Sequence, residues 1–582
     1  MQPVDFTTFT AACSELRLDW IPARLEQVYQ LDRHSISLSL RTLSQRGWLT
    51  ISWHPQAARF CLGEAPPRTP DTFTFSQQLR HQLGGLALVA IQPIAPWERV
   101  ADLQFARRPG DPVLWHLYIE IMGKYSNAIL TNQNNLVVTA AHQVSHQQSS
   151  VRTIQTGQPY DLPPALTDPS PTLEESQERW QERVGLVPGA LKRNLLKTYR
   201  GLSSALVLSM IQVAGLEPEQ STDHLKAEDW ARLFDRWQEW LRVLEAGQGF
   251  QPGWWPEGGY TVMGWGAVKP EESVQQLLHR YYSDRLNQQV FGQLRHQLSQ
   301  KLTNLLKKLY VKANDFRSRL TQSDDADRYR EQADLLMAYL HEWQPGMKQI
   351  ELPDFATTKP VTIPLNPEKN AVQNAQALYK RHQKLKRSRT ALEPLLADVQ
   401  AEIDYLEQVE VAIGQLDDYR NADDLTALTE VRDELIQQGY LEDPEQRYRN
   451  PNSDPTTNFL KYQSPSGFEI WIGRNNRQND QLTFRLATDY DLWFHTQEIP
   501  GSHVLLRLDP GAVADEADLQ FTADLAAYYS RARQSDQAPV VYTQPKLVYK
   551  PKGAKPGMAI YKQEQVMWGQ PQRGKDYVVG DR

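Results

Sequence analysis

The sequence predicts a multidomain α+β protein: a β-rich N-terminal domain, a small helical module, a long antiparallel coiled coil and a second α+β domain at the C-terminus. Three observations predict it. The 582 residues exceed what one hydrophobic core organises. Between about residues 280 and 435, leucines recur at spacings of three and four over long windows. Short segments of strand character, bounded by turn residues, flank that stretch on both sides. With 40% hydrophobic residues, among them 16 Trp, the chain has material for several packed cores.

The N-terminal domain is assigned to residues 1–175. Polar and apolar residues alternate over Ser35–Leu40, and Trp48–Trp53, Val100–Phe105 and Leu114–Met122 read as further strands of a mostly antiparallel sheet. Asn134 and Asn135, between AILTN and LVVTA, suit a hairpin because asparagine tolerates positive φ. Helices are expected at Phe6–Leu16 and Phe75–Gln82. Prolines crowd Gln158–Pro171, fixing φ and deleting backbone donors, so regular structure should stop there. Within residues 176–275, Leu186–Leu216 holds two apolar helical patterns, with Pro188-Gly189 before the first and Gly201 between them. These glycine turns resemble a helix-hairpin-helix, a unit that often presents backbone amides to phosphates; a plain helical spacer is the alternative.

Residues 276–440 read as a coiled-coil arm. One seam runs Leu298, Leu302, Leu305, Leu309, Ala313, Phe316 and Leu320; the other runs Leu378, Leu385, Leu392, Leu396, Val399, Ile403 and Leu406. VTIPLNPEKN turns the chain between them, and Pro394 is expected to kink the second helix. Two ordinary helices in a compact bundle are the alternative. Residues 441–582 form the last domain: GFEIWIGRNNRQND as strand and turn, DLWFHTQEIPGSHVLLRL, a helix at Asp518–Arg533, and strands near Val540–Tyr542 and Ala559–Tyr561.

Composition excludes several function classes. The first residues, MQPVDFTTFTAACSEL, lack the basic and apolar regions of a signal peptide, and no later stretch nears the ~20 apolar residues of a membrane span, so a cytoplasmic protein is expected. Cys13 and Cys61 alone build neither a disulfide framework nor a cysteine-rich zinc site. A net charge of −7 argues against coating nucleic acid with the whole surface; any RNA site must be local. Two basic concentrations offer one: Lys380, Arg381, Lys384, Lys386, Arg387 and Arg389 in one helical stretch, and Lys546, Lys550, Lys552 and Lys555 near the end. A solvated helix face is the alternative for each.

Nucleophile elbow, P-loop and kinase signatures are absent, so no catalytic residue, cofactor or metal is expected. His495 and His503 lack acidic or cysteine partners at metal-ligand spacing. The run Gly473–Asp480 packs the side chains of Arg474, Asn475, Asn476, Arg477, Asn479 and Asp480 into one expected turn, groups suited to phosphates and base edges, with a solvated hairpin loop as the alternative. Trp493, Phe494 and His495, followed by Gly501, Ser502 and His503, extend it toward an RNA platform.

The strings IGRNNRQNDQLTFRLATDYDLWFHTQEIPGSHVLLR and YYSRARQSDQAPVVYTQPKLVYKPKGAKPG resemble the RNA-binding domain of the NFACT family nearly end to end. SWHPQAARFCL at Ser52–Leu62, LRHQLGG at Leu79–Gly85 and IEIMGKYSNAIL at Ile119–Leu130 are similar to its N-terminal domain, and NAQALYKRHQKLK at Asn374–Lys386 to its coiled coil. The resemblance covers the chain in the family's order. It implies ribosome-associated quality control: binding of split large ribosomal subunits that hold peptidyl-tRNA and a nascent chain, recruitment of tRNA-Ala, and untemplated C-terminal alanine tailing, with peptide transfer left to the ribosome and a small RNA-binding protein as a further partner. Glu98, Arg99, Glu120, Lys124 and Asn127 are then implied as tRNA contacts. Two departures stand out. Glu98 replaces the aspartate of the family's Asp-Arg pair, and Lys124-Tyr125 replaces an Arg-His after Met-Gly, which moves a carboxylate by one methylene and loses a bidentate fork.

Three rivals follow. A formamidopyrimidine-type DNA glycosylase, similar in its first domains, needs an N-terminal proline amine, whereas Pro3 here follows Gln2. A surface adhesin, suggested by the fibronectin-binding label of relatives, lacks support from a secretion signal or anchor. A ribosome-binding rescue or sensing factor without tailing is motivated by Glu98 and Lys124.

Overall fold

The computed structural model describes residues 1–580 except 67–69, 150, 165–166, 257, 356, 358 and 443–457. Ala165 and Leu166 of the proline-rich stretch, and most of the chain joining the expected arm to the last domain, thus lie outside the described residues. The chain forms two compact units, residues 1–286 and 287–582.

In the first unit α1 (Phe6–Trp20) starts at Asp5, whose carboxylate accepts from the Thr8 amide at 2.8 Å and satisfies one of the helix's open donors. The strands are β1 (Ala23–Asp32), β2 (Ser35–Arg41), β3 (Arg46–Ser52), β4 (Arg59–Gly63), β5 (Ala87–Pro93), β6 (Val100–Ala106), β7 (Trp115–Glu120), β8 (Asn127–Asn132) and β9 (Val137–Ala140), with α2 (Thr74–Leu83) between β4 and β5. Among the described residues these nine strands make one antiparallel sheet, ordered β4-β3-β2-β1-β5-β6-β7-β8-β9. Phe9, Ala12 and Leu16 of α1 share a core with Leu38, Leu40, Leu103, Phe105 and Leu117 of the sheet. The expected hairpin turns at Asn135, whose φ is +59°.

Four helices follow: α3 (Gln177–Gly185), α4 (Leu191–Thr198), α5 (Ser204–Val213) and α6 (Ala227–Ala246). The first and last lie outside the two expected apolar patterns. They supply the tryptophans, Trp180, Trp230, Trp237 and Trp240, around which the module packs. Trp240 Nε1 donates to Thr7 Oγ1 at 2.9 Å, tying α6 to α1. A small sheet of β10 (Gly253–Trp254), β11 (Tyr260–Thr261) and β12 (Lys269–Pro270) precedes α7 (Val274–Asp324), whose first amides, of Val274 and Gln275, donate to Glu15 at 2.7 and 3.0 Å.

The second unit takes in most of α7, then α8 (Ala326–Ala338), the hairpin β13 (Gln349–Pro353) and β14 (Pro360–Pro364), α9 (Ala371–Gln415) and α10 (Ala422–Gln437). The Tyr310 hydroxyl meets Glu407, Arg317 meets Gln400 at 2.5 Å, and Arg389 meets Asp324 at 3.0 Å; ascending numbers on α7 face descending ones on α9, so the pair is antiparallel. Leu298, Leu302 and Ala313 are buried on the seam as expected, but Leu306 takes the place expected of Leu305, which is only partly buried. The α9 helix holds Pro394, the expected kink position, inside its span without a break. Leu428, Val431 and Leu435 of α10 cover the base of the pair, so a third helix, unrecognised in the sequence, completes that core.

The rest is an α+β domain: β15 (Leu460–Gln463), β16 (Glu469–Ile472), α11 (Asn476–Gln481), β17 (Leu492–Thr496), β18 (Val504–Leu506), α12 (Glu516–Tyr528), β19 (Ala538–Thr543), β20 (Val548–Tyr549), β21 (Ile560–Tyr561), β22 (Gln565–Gly569) and α13 (Pro571–Gly580). Its main sheet is ordered β15-β16-β18-β17-β19-β22, and α12 packs on it through Ala523, Ala526 and Ala527. No helix among the described residues is long and apolar enough to cross a membrane.

Candidate nucleic-acid interface

The segments implied as tRNA contacts converge at one end of the N-terminal sheet, where the Ile121 amide donates to the Arg99 carbonyl at 2.9 Å. Trp97, at φ +64°, sits in the turn between β5 and β6 and packs against Phe6 and Trp240 at ring distances of 4.7 and 5.7 Å. Gly201, between α4 and α5, lies so close that a Cβ there would stand 2.5 Å from the indole. The helix-hairpin-helix-like turn therefore buttresses Trp97, and Trp97 fixes the two residues after it. Arg99 donates to the Val4 carbonyl at 2.9 Å; burial lowers its pKa, while Asp5 and Glu98 favour its charge. The Glu98 Oε1 atom is buried and has no hydrogen-bond partner among the described residues.

Glu120 and Asn127 are tied inward. Glu120, 1% exposed, accepts two hydrogen bonds from Arg152 at 2.6 and 3.0 Å and one from the Tyr160 hydroxyl at 2.8 Å. Asn127 donates to the His142 carbonyl at 2.7 Å and accepts from the His142 amide at 2.9 Å. They tie His142, Arg152 and Tyr160 to the strand ends, because a buried carboxylate or amide needs every available partner. Lys124 instead stands exposed, its ammonium 4.9 Å from the Tyr125 ring.

On the arm, Lys380, Arg381, Lys384, Lys386 and Arg387 are all exposed on α9. The spacing i, i+4, i+7 puts Lys380, Lys384 and Arg387 on one face. Arg381 lies over the Tyr329 ring at 4.7 Å, and Arg389 is spent on Asp324 and Glu393.

The expected polar turn of the last domain is instead the N-terminus of α11, and most of its side chains face inward. Asn475 caps the helix by accepting from the Gln478 amide at 2.9 Å and donates to Glu430 at 2.7 Å. Asn476 donates to Glu434 at 3.1 Å, Gln478 to Glu430 at 3.0 Å, and Arg474 pairs with Asp424 at 3.2 Å. The carboxylates of α10 thus satisfy a buried amide cluster, and this corrects the expected turn, together with its solvated-loop alternative, to a helix N-terminus whose side chains are largely buried. Asn479 accepts from the His503 amide at 3.1 Å; Asp480 pairs with Lys550 and accepts from the Gly557 amide at 3.1 Å. Arg477 is half-buried beside this interface.

His503 and Ser502 are buried too, His503 Nδ1 lying 2.7 Å from Thr483 Oγ1 and the Ser502 hydroxyl 3.1 Å from Gln415 Oε1. His495 packs beside Trp493, and burial pushes the pKa of His495 down to about 4 and of His503 to about 3. Lys555 lies 4.6 and 4.5 Å from the Tyr405 and Tyr440 rings, where desolvation lowers its pKa. Lys546 and Lys552 are exposed and, among the described residues, enter no ion pair. The expected site residues that stand exposed thus include Lys124, the α9 face, Lys546 and Lys552. The inward bonds of Arg474, Asn475, Asn476 and Gln478 were hidden from the sequence because their partners lie 42 to 50 residues away on α10.

Comparison with known proteins matches most of the chain. The family profile described as NFACT N-terminal and middle domains covers residues 5–454, and that of the NFACT protein RNA binding domain covers residues 458–562. Proteins named "Rqc2 homolog RqcH" from Bacillus subtilis and Streptococcus suis are each 29% identical to this chain, over 96% and 97% of both partners respectively. A solved structure of the C-terminal part of a fibronectin/fibrinogen-binding protein from Streptococcus suis is 28% identical and covers 49% of this chain and 98% of its own, with a TM-score of 0.37.

Proposed function

Because the chain belongs to the NFACT family, we propose that it is a ribosome quality control factor, which binds large ribosomal subunits obstructed by peptidyl-tRNA and recruits tRNA-Ala for untemplated alanine tailing of the nascent chain. The observation that carries this reading is the full-length similarity to the RqcH proteins, through every domain and in one order. Exposed cations on α9 and at Lys546 and Lys552 are suited to ribosomal RNA, whose phosphates bind through Lys and Arg at sites that need not cover the protein. Arg99, held beside Trp97 and next to an unpartnered Glu98 oxygen, is suited to a tRNA contact, since an unsatisfied buried acceptor gains when a donor arrives. The chemistry of peptide transfer belongs to the ribosome in this reading, and the protein acts in the cytoplasm by holding and positioning.

Glu98 favours a second reading, a rescue or sensing factor without tailing, since its carboxylate stands one methylene further out than the family's aspartate. Alanine-tail formation by the wild type and by Glu98→Asp separates the two. Tails in both support the proposal; tails in neither, with subunit binding intact, support the second reading.

A further inference from the structure

A cavity of about 360 Å³ opens between α9 and the sheet of the last domain, within the second unit. One wall is aromatic: Trp493, His495, His503 and Tyr561, with Trp493 and His495 near-parallel at 13° and 5.7 Å. The facing wall, from α9, carries Asp404, Glu407 and Gln408, and Glu498 completes the lining. Two lining residues hold buried polar atoms without a hydrogen-bond partner, Gln408 Oε1 and His495 Nε2. Gln408 Oε1 is an acceptor, and a buried acceptor left unmade costs its full desolvation, so it points to an absent donor, with the unpartnered imidazole nitrogen of His495 lining the same cavity.

The charges narrow the class of donor. Glu407 is paired with Arg531 at 2.8 Å and bonded to the Tyr310 hydroxyl, but among the described residues neither Asp404 nor Glu498 enters an ion pair. Among the described residues Asp404 accepts a neutral hydrogen bond, from Gln400 at 2.9 Å. Both imidazoles are held neutral by burial, and Lys550, the cation acting on His503, is itself paired with Asp480. The lining therefore offers acceptors, aromatic faces and net negative charge. Phosphates are repelled by such a lining, whereas a planar cation with several N–H donors meets each of its features.

We infer that this cavity binds an arginine guanidinium presented by a basic polypeptide segment, with the plane against the aromatic wall and the N–H groups on Gln408 Oε1 and the Asp404 side. An RNA-binding domain would thus carry, beside its cationic surface, an acidic pocket for a protein partner. The inference goes beyond the ribosome-factor reading and does not rest on it: loss of ribosome association in cells would leave the pocket's chemistry untouched.

Saturation-transfer NMR on the full chain tests it, with N-acetylarginine amide as the probe and adenosine and cytidine as competitors of the other class. The arginine probe should receive saturation at millimolar concentration. Its affinity should fall about tenfold in Gln408→Leu, the loss expected for one hydrogen bond to a charged group, and similarly in Asp404→Asn. Both changes are at the rim of a surface helix, and an unshifted melting curve verifies folding. Saturation of the nucleosides in place of the arginine probe would overturn the inference in favour of an unstacked base. No transfer to the arginine probe, or equal transfer in wild type and both variants, would overturn it outright.

Discussion

At the residue scale the molecule divides its polar side chains into those that hold the fold and those left for a partner. Glu120 is of the first kind. Replacing it by Ala leaves Arg152 and the Tyr160 hydroxyl buried without their acceptor, and breaking such a pair costs about 3–5 kcal/mol. Urea unfolding of Glu120→Ala should show that loss, whereas Lys124→Ala should unfold with the wild type. Gly201→Ala adds a Cβ at φ +80° against the Trp97 ring, and is expected to destabilise the first unit by ~1–3 kcal/mol. If Gly201→Ala unfolds like wild type, the buttressing of Trp97 is wrong. The sequence made Asn135 legible, because its signal is a local turn preference. Glu120 was not legible in the same way: its partners, 32 and 40 residues away, are set by the sheet.

At the element scale α10 is the piece that sequence periodicity hid. Heptads reported the α7 and α9 seam because each apolar residue there serves one repeating contact. By contrast α10 has two jobs, an apolar stripe on the arm's base and carboxylates for α11, and the second resembles a solvated charged face. Glu434 makes this interface sensitive to pH. Burial raises its pKa from 4.5 to about 7, although Tyr405 and Asn476 donate to it and act in the other direction, with Arg477 and Asp480 the charges acting on it. The folded state then binds the proton more tightly than the unfolded chain, so this contribution is complete below 4.5 and is lost as pH rises through 7. Its span is on the order of 3 kcal/mol. Glu434→Gln should flatten the stability profile of the second unit between pH 5 and 8; an unchanged slope would remove Glu434 as its source. The arm makes a separate prediction. Charge reversal of Lys384, Lys386 and Arg387 should weaken large-subunit association and reduce the steepness of its salt dependence by about two to three in log-log slope. An unchanged slope in a sedimentation assay would make those residues a solvated face.

At the scale of the whole molecule, the succession of sheet, helical module, antiparallel arm and second α+β domain was readable because strand alternation and long heptads each leave a periodic signal in the sequence itself. The exposed cations were readable as well. What was not readable is that Arg474, Asn475 and Asn476 bond to carboxylates of α10: amides and guanidinium forks suit a nucleic acid and a carboxylate equally, and their spacing does not say where those carboxylates lie. Under the proposed function, large-subunit binding belongs to the arm and to Lys546 and Lys552, and tRNA selection to the surroundings of Arg99. Arg99→Ala should accordingly reduce the tRNA that co-purifies while leaving subunit association in place, and equal loss of both would refute that division.

The most direct test of the central claim is sucrose-gradient fractionation of the tagged protein from growing cells, with sequencing of the RNA that co-purifies. The account predicts enrichment with large ribosomal subunits and selected tRNA-Ala. A protein absent from every ribosomal fraction would contradict it.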